Sequence, residues 1–156
     1  MKKTFLLALF LTIAVSAMSQ RRIGGNLVYG TEIEELGIGV VGEFFFKNDL
    51  SISPSFNYYF AEDPLNFWEL NVNLNYYFAE SGSVSAYALG GLNLARISID
   101  SGVLGPERSD TELGLNIGAG ANFDVGGSVV PFTELRFVLS DFDQAVFAFG
   151  VKFPLN

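Results

Sequence analysis

The sequence predicts an all-β fold, an eight-stranded antiparallel up-and-down transmembrane β-barrel. Three observations point there. Apolar and polar residues alternate with a period of two along most of the chain. The 156 residues are 49% hydrophobic but only 17% charged, below the ~25% usual for a soluble domain. After residue 20 the apolar residues are dispersed, with no run of the ~20 that a spanning helix needs. Successive strand side chains point to opposite faces, so alternation gives each segment one apolar wall and one polar wall.

The chain divides into residues 1–19 and residues 20–156. Lys2 and Lys3 form a basic start, Phe5 to Val15 is a short apolar run, and Ala17-Met18-Ser19 fits a small-x-small cleavage site. Those are the parts of a secretory signal peptide, which would leave Gln20 as the new N-terminus. The export signal points to the envelope of a bacterium. Without Lys2 and Lys3, seven Lys and Arg remain against 17 Asp and Glu, a formal net charge of −10. Such a chain has no general attraction for nucleic acid, where affinity rests on neutralising phosphates.

Eight segments of about the 9–11 residues of a tilted spanning strand follow. Arg22 to Gly30 sets Ile23, Leu27 and Tyr29 on one side. Leu36 to Phe46 sets Leu36, Ile38, Val40, Phe44 and Phe46 against Gly37, Gly39 and Glu43. Leu50 to Phe60 alternates Ile52, Phe56 and Tyr58 with Ser51, Ser53, Asn57 and Tyr59. Trp68 to Phe78 alternates Trp68, Leu70, Val72 and Leu74 with Glu69, Asn71, Asn73 and Asn75. In Val84 to Ile97 the phase is ambiguous, since Tyr87 and Leu89 oppose Ala88, Leu92 and Leu94. Glu112 to Phe123 alternates Leu113, Leu115 and Ile117 with Gly114, Asn116 and Gly118. Val129 to Leu139 sets Leu135, Phe137 and Leu139 against Glu134 and Arg136. Ala145 to Phe153 sets Phe147, Phe149, Val151 and Phe153 against Gly150 and Lys152. Turn-forming clusters separate the segments, and the longest connection is 98–111. Pro54 falls inside the cleanest strand and cannot donate to a ladder, so a bulge or local opening is expected at Ser53 to Ser55. The hexapeptide Asn-Tyr-Tyr-Phe-Ala-Glu occurs at 57–62 and again at 75–80. It reads as shared strand-exit chemistry, because a repeat architecture needs self-similarity throughout.

Alternation also fits a soluble carrier barrel with its apolar face inward. The polar wall argues against one. It is built of Ser, Asn and Gly, whereas a water-facing surface carries many Lys and Glu. Aromatics gather at strand ends, with Phe56, Tyr58, Phe60 and Trp68 at one rim and Phe44, Phe46, Tyr76, Phe78, Phe123 and Phe153 at the other. Paired aromatic girdles mark membrane interfaces. In hydrocarbon every backbone polar group must be paired internally, so strands span only as a closed sheet.

The C-terminal third carries a family resemblance. Val130-Pro131-Phe132-Thr133-Glu134-Leu135-Arg136-Phe137, Ser140-Asp141-Phe142-Asp143-Gln144 and Ala148-Phe149-Gly150-Val151-Lys152-Phe153 resemble the last hairpin of the OmpA- and OmpX-type outer membrane protein beta-barrel domains. The resemblance implies a bacterial outer-membrane location and contact with outer-membrane lipid and lipopolysaccharide. It also implies a monomer inserted by the barrel-assembly machinery. Gly150, Phe153 and Leu155 are similar to the terminal assembly signal of that family, which typically ends on an aromatic, whereas Pro154-Leu155-Asn156 follow here.

The chemistry open to the chain is narrow. It has no His and no Cys, which removes imidazole bases, thiolate nucleophiles and zinc sites built on either. Barrel enzymes of this size that act on lipid A rely on a His, so neither catalysis nor a cofactor is expected. The inward wall offers Glu43, Glu69, Glu112, Glu134, Arg136 and Lys152. Lone charges in a narrow lumen are costly, so Arg136 and Lys152 are expected to meet two or more of the Glu residues, with Asn71, Asn73, Asn75 and Asn116 adding hydrogen bonds. The network could plug the lumen or gate small ions. An eight-strand interior is just wide enough for side chains to fill, which favours an envelope-structural barrel with a plugged lumen. The alternative is surface binding, either through the 98–111 loop in adhesion or through an acidic rim including Glu32, Glu34, Glu62, Asp63 and Asp141. Carboxylates there could hold divalent cations against lipopolysaccharide, or simply be solvated.

Overall fold

The computed structural model describes residues 20–100, 102, 105, 106 and 108–155. The signal-peptide segment 1–19 lies outside them. Eight strands follow one another: β1 (Gln20–Gly30), β2 (Glu35–Phe45), β3 (Leu50–Tyr59), β4 (Leu65–Ser81), β5 (Val84–Ile99), β6 (Arg108–Phe123), β7 (Val130–Leu139) and β8 (Gln144–Leu155). Each pairs antiparallel with the next, and β8 pairs with β1 to close the barrel.

Alternation sorts the walls as expected. Outside lie Leu113, Phe149 and Leu27, each more than 60% exposed, while Glu43, Glu69, Asn71 and Tyr59 are fully buried inside. The outer aromatics stand at both strand ends; Phe137 and Phe147 add rings towards the loop ends of β7 and β8, and Phe149 lies nearer mid-strand.

Two expectations change and a third is narrowed. The phase of β5 is single: Tyr87, Leu89, Asn93 and Ala95 all turn inward, and Leu92 is 54% exposed. Tyr87 fits because Gly120 sits opposite; a Cβ there would stand 2.4 Å from the Tyr87 hydroxyl. The ambiguity arose because a large aromatic occupies a wall otherwise made of small residues. Second, both ends of the 98–111 connection are strand. β5 and β6 stay paired out to Ile99 and Arg108, which shortens the connection to 100–107, since continued pairing satisfies backbone groups that a loop would leave to water. Third, at Pro54 the expected disturbance takes the form of a local opening rather than a bulge. The pairing of β3 with β4 is continuous from Leu50↔Tyr76 to Tyr59↔Phe67. Towards β2 the ladder opens between Val41↔Ser55 and Phe44↔Ile52 without a change of register. The Ser53 hydroxyl donates to the Gly42 carbonyl at 3.0 Å across this gap, replacing a ladder bond that Pro54 cannot make.

The interior is layered. Near the 31–34, 60–64, 100–107 and 140–143 connections sits an apolar cluster of Val28, Tyr59, Phe67, Ala95, Val138, Val146 and Ala148, with Ile33 and Ile97 packed on it. Phe142 leans in from the last connection, 6.3 Å from the Phe67 ring. Towards the termini Phe45, Tyr77, Tyr87 and Leu89 form a second cluster. Polar side chains fill the space between.

Candidate functional site

Two buried carboxylates organise the lumen. Glu43, on β2 near the terminal end, accepts five hydrogen bonds. Oε1 receives Ser51 Oγ at 3.0 Å, Asn75 Nδ2 at 3.3 Å and Tyr77 Oη at 2.5 Å. Oε2 receives Arg22 Nη1 at 3.3 Å and Lys152 Nζ at 3.1 Å. Those donors come from β1, β3, β4 and β8, so one carboxylate ties both sides of the β8–β1 closure to the opposite wall. Lys152 also donates to Asn122 Oδ1 at 3.2 Å, and its ammonium lies 4.5 Å from the Phe132 ring centroid.

Glu69, on β4 towards the other end, also accepts five. Oε1 receives Asn57 Nδ2 at 2.8 Å, Tyr59 Oη at 3.1 Å, Asn71 Nδ2 at 3.3 Å and a close ion pair from Arg136 Nη2. Oε2 receives Asn93 Nδ2 at 3.1 Å. Arg136 reaches Glu134 Oε1 as well, at 3.2 Å. Between the nodes, Asn116 Nδ2 reaches Asn71 Oδ1 at 2.9 Å and Asn73 Oδ1 at 2.8 Å. It crosses β5 where Gly91 offers no side chain: a Cβ there would meet Asn73 Oδ1 at 2.5 Å. Tyr87 spans the remaining distance. Its hydroxyl donates to Glu134 Oε2 at 2.8 Å, while its ring packs 5.1 Å from Tyr77.

A carboxylate accepts at about four lone-pair sites. Both nodes are therefore saturated, and a buried charge is tolerated when it is paired and fully hydrogen-bonded. Three cations, Arg22, Arg136 and Lys152, meet three carboxylates, Glu43, Glu69 and Glu134. The charges balance inside the lumen. No cluster of His, Cys, Asp or Glu among the described residues has the arrangement of a metal site.

The chain matches no family model and no curated protein sequence. Solved structures do match. The N-terminal β-barrel domain of Pseudomonas aeruginosa OprF aligns at 16% identity with a TM-score of 0.74, over 88% of this chain and 98% of that one. Ail, the attachment invasion locus protein of Yersinia pestis, aligns at 20% identity with a TM-score of 0.65, over 87% and 97%. The outer membrane enzyme PagL aligns at 12% identity with a TM-score of 0.51, over 86% and 99%. The chain has the fold of the small eight-stranded outer-membrane barrels. That barrel fold carries an attachment protein and an enzyme alike, so a role has to be argued from the site.

Within this barrel, five of the six charged residues expected in the lumen join the network. Glu112 does not. It shares the inward phase of β6 but is only half-buried, opposite Ala95 and near the loop end, and no ion pair or hydrogen bond to a described residue engages it. The reason is height: at that level the interior is the apolar cluster, and no cation reaches it. The sequence reading missed Arg22, Ser51, Asn57, Tyr59, Tyr77, Tyr87, Asn93 and Asn122. One signal could have found three of them, Asn57, Tyr59 and Tyr77. In both copies of the hexapeptide the Asn and the second Tyr clamp a node carboxylate, Asn57 and Tyr59 on Glu69, Asn75 and Tyr77 on Glu43. The repeat is not merely strand-exit chemistry. On antiparallel neighbours the same motif serves opposite ends of the lumen. Of the residues expected to form an assembly signal, Gly150 faces inward, where a Cβ would stand 2.3 Å from the Gly25 carbonyl; Phe153 and Leu155 are exposed on the outer wall.

Proposed function

We propose that this protein is an integral barrel of the bacterial outer membrane whose lumen is a permanent polar plug, with an envelope-structural role and neither catalysis nor transport. The observation that carries this reading is the pair of saturated carboxylates. Their donors come from six of the eight strands and meet across the lumen, which leaves the charges committed to one another. A gate would need a charge free to change partners, and a hydrolase would need an activated nucleophile. Ser51 is the serine whose hydroxyl donates to a carboxylate, yet it is fully buried and its acceptor Glu43 already holds two cations, so it has no free base.

Insertion as a monomer by the barrel-assembly machinery belongs to the same reading, with Gly150, Phe153 and Leu155 as the signal. The projecting segment 100–107 is shorter than an adhesive loop would need. Planar-bilayer recording of the purified protein tests the plug. The wild type should show no steady conductance, and Glu134→Gln should leave it closed. A large, stable wild-type conductance would overturn the proposal. Flotation with outer-membrane vesicles and heat-modifiable mobility on gels check the location separately.

A further inference from the structure

The outer wall carries one feature that a uniform lipid-facing surface lacks. Tyr58 pairs with Trp68, Trp68 with Arg96, and Arg96 with Thr111. These four residues form one outward row across β3 to β6. The row beneath, Phe56, Leu70, Leu94 and Leu113, is wholly apolar, and the row above holds Asn66, Ser98 and Ser109. Two rows are separated by two residues, about 7 Å of strand. Arg96 therefore stands within one step of the hydrocarbon band, at the level of the aromatic belt.

The cations of this barrel are otherwise accounted for. Arg22, Arg136 and Lys152 turn inward to carboxylates, Arg21 and Lys47 lie at the terminal end, and Arg108 opens β6 at the loop end. Arg96 forms no ion pair with a described residue. Its Nη2 donates to Ser109 Oγ at 3.2 Å, which fixes the guanidinium towards the hydroxyl row. Tyr58 Oη donates to Asn66 Oδ1 at 3.1 Å, and the Phe56 and Trp68 rings pack at 5.8 Å. A guanidinium beside hydroxyls, above a shelf of rings and leucines, matches a phosphate on an acyl-bearing lipid. The planar fork grips two phosphate oxygens, and the shelf takes the first methylenes. Glu62, Asp63 and Asp100 belong to the connections beyond the upper row, so attraction for an anion is confined to the depth of Arg96.

We infer that Arg96, with Ser98, Ser109 and Thr111 above the Trp68 shelf, is a binding site for the phosphate head group of a membrane lipid. The site rests on the membrane placement proposed above.

Trp68 is the only tryptophan, so its fluorescence reads the site directly. Protein folded in maltoside micelles is titrated with brominated phosphatidylglycerol or with diacylglycerol bearing the same brominated chains. Phosphatidylglycerol should reach half-quenching at a mole fraction about fivefold lower. Arg96→Gln should erase that preference, Arg96→Lys should keep part of it, and Lys47→Gln should leave it unchanged. Equal quenching by the two lipids, or an unaltered preference in Arg96→Gln, would overturn the site. Displacement of the lipid by inorganic phosphate at the same concentration would overturn a lipid ligand. Heat-modifiable mobility of each variant shows that the barrel is folded. Its absence in the wild type would count against the membrane barrel itself rather than against the lipid site.

Discussion

The Glu43 and Glu69 nodes use the same donors in opposite electrostatic settings. Each carboxylate is clamped by an Asn-x-Tyr pair from one copy of the repeated hexapeptide. Around Glu43 there are two cations, Arg22 and Lys152, for one carboxylate. Around Glu69 there is one cation, Arg136, for two carboxylates, Glu69 and Glu134. The lumen is balanced as a whole and unbalanced at each end. The Glu43 node is therefore redundant in cations, whereas the Glu69 node depends on one side chain.

That difference ranks the variants. Arg136→Met should be the most damaging change in the lumen, since it strands two buried carboxylates with no cation. We expect a loss of about 4 kcal/mol, read from urea unfolding of vesicle-inserted protein followed by Trp68 emission. Arg136→Lys should recover only part, because an ammonium cannot span Glu69 and Glu134 as the guanidinium fork does. Lys152→Met should cost about 2 kcal/mol, since Arg22 stays on Glu43 Oε2. If Lys152→Met proved as costly as Arg136→Met, the redundancy argument would fail.

The nodes are joined at one place. Tyr87 donates to Glu134 of one node, while its ring lies 5.4 Å from the Lys152 ammonium of the other. Tyr87→Phe keeps the ring and removes the donor, so it should cost about 1 kcal/mol. It also sharpens the comparison. In the Tyr87→Phe background, Lys152→Met and Arg136→Lys should be additive to within ~0.5 kcal/mol, as expected of sites with no shared partner. With Tyr87 present, a measurable coupling should appear. Equal coupling in both backgrounds would show that the nodes communicate by another route.

Most of the barrel was legible because a period of two survives whatever side chains fill the lumen. Strand number, the two walls and five of the six interior charges follow from it. Three features were not legible, for distinct reasons. Tyr87 leaves the phase of its strand ambiguous until its neighbour across the sheet, Gly120, is known. Strand ends are set by how far two chains stay paired, and Ser98 and Ser109 carry no local mark of that. Tyr59 and Tyr77 stand among small polar residues, where a large ring looks like an exception to the pattern. Both instead donate to a node carboxylate, Tyr59 to Glu69 and Tyr77 to Glu43.

Glu112 shows the limit of the alternation rule most simply. It has the same inward phase on β6 as Asn116, two residue pairs further along, and phase alone places it with Glu43 and Glu69. Phase gives direction but not height. Asn116 lies level with Asn73 and Gly91, inside the polar belt; Glu112 lies opposite Ala95, beside Ile97 and the apolar cluster. A carboxylate fixed there without a cation persists only by keeping contact with water, which its partial exposure allows. Glu112→Gln should therefore change unfolding stability by no more than about 0.5 kcal/mol, the range of substitutions outside buried networks. Glu69→Gln, which differs by the same single atom, should instead leave the Arg136 charge short of its main partner. If the two Gln variants lost stability equally, the lumen would not be organised by its two nodes, and every inward carboxylate would count alike.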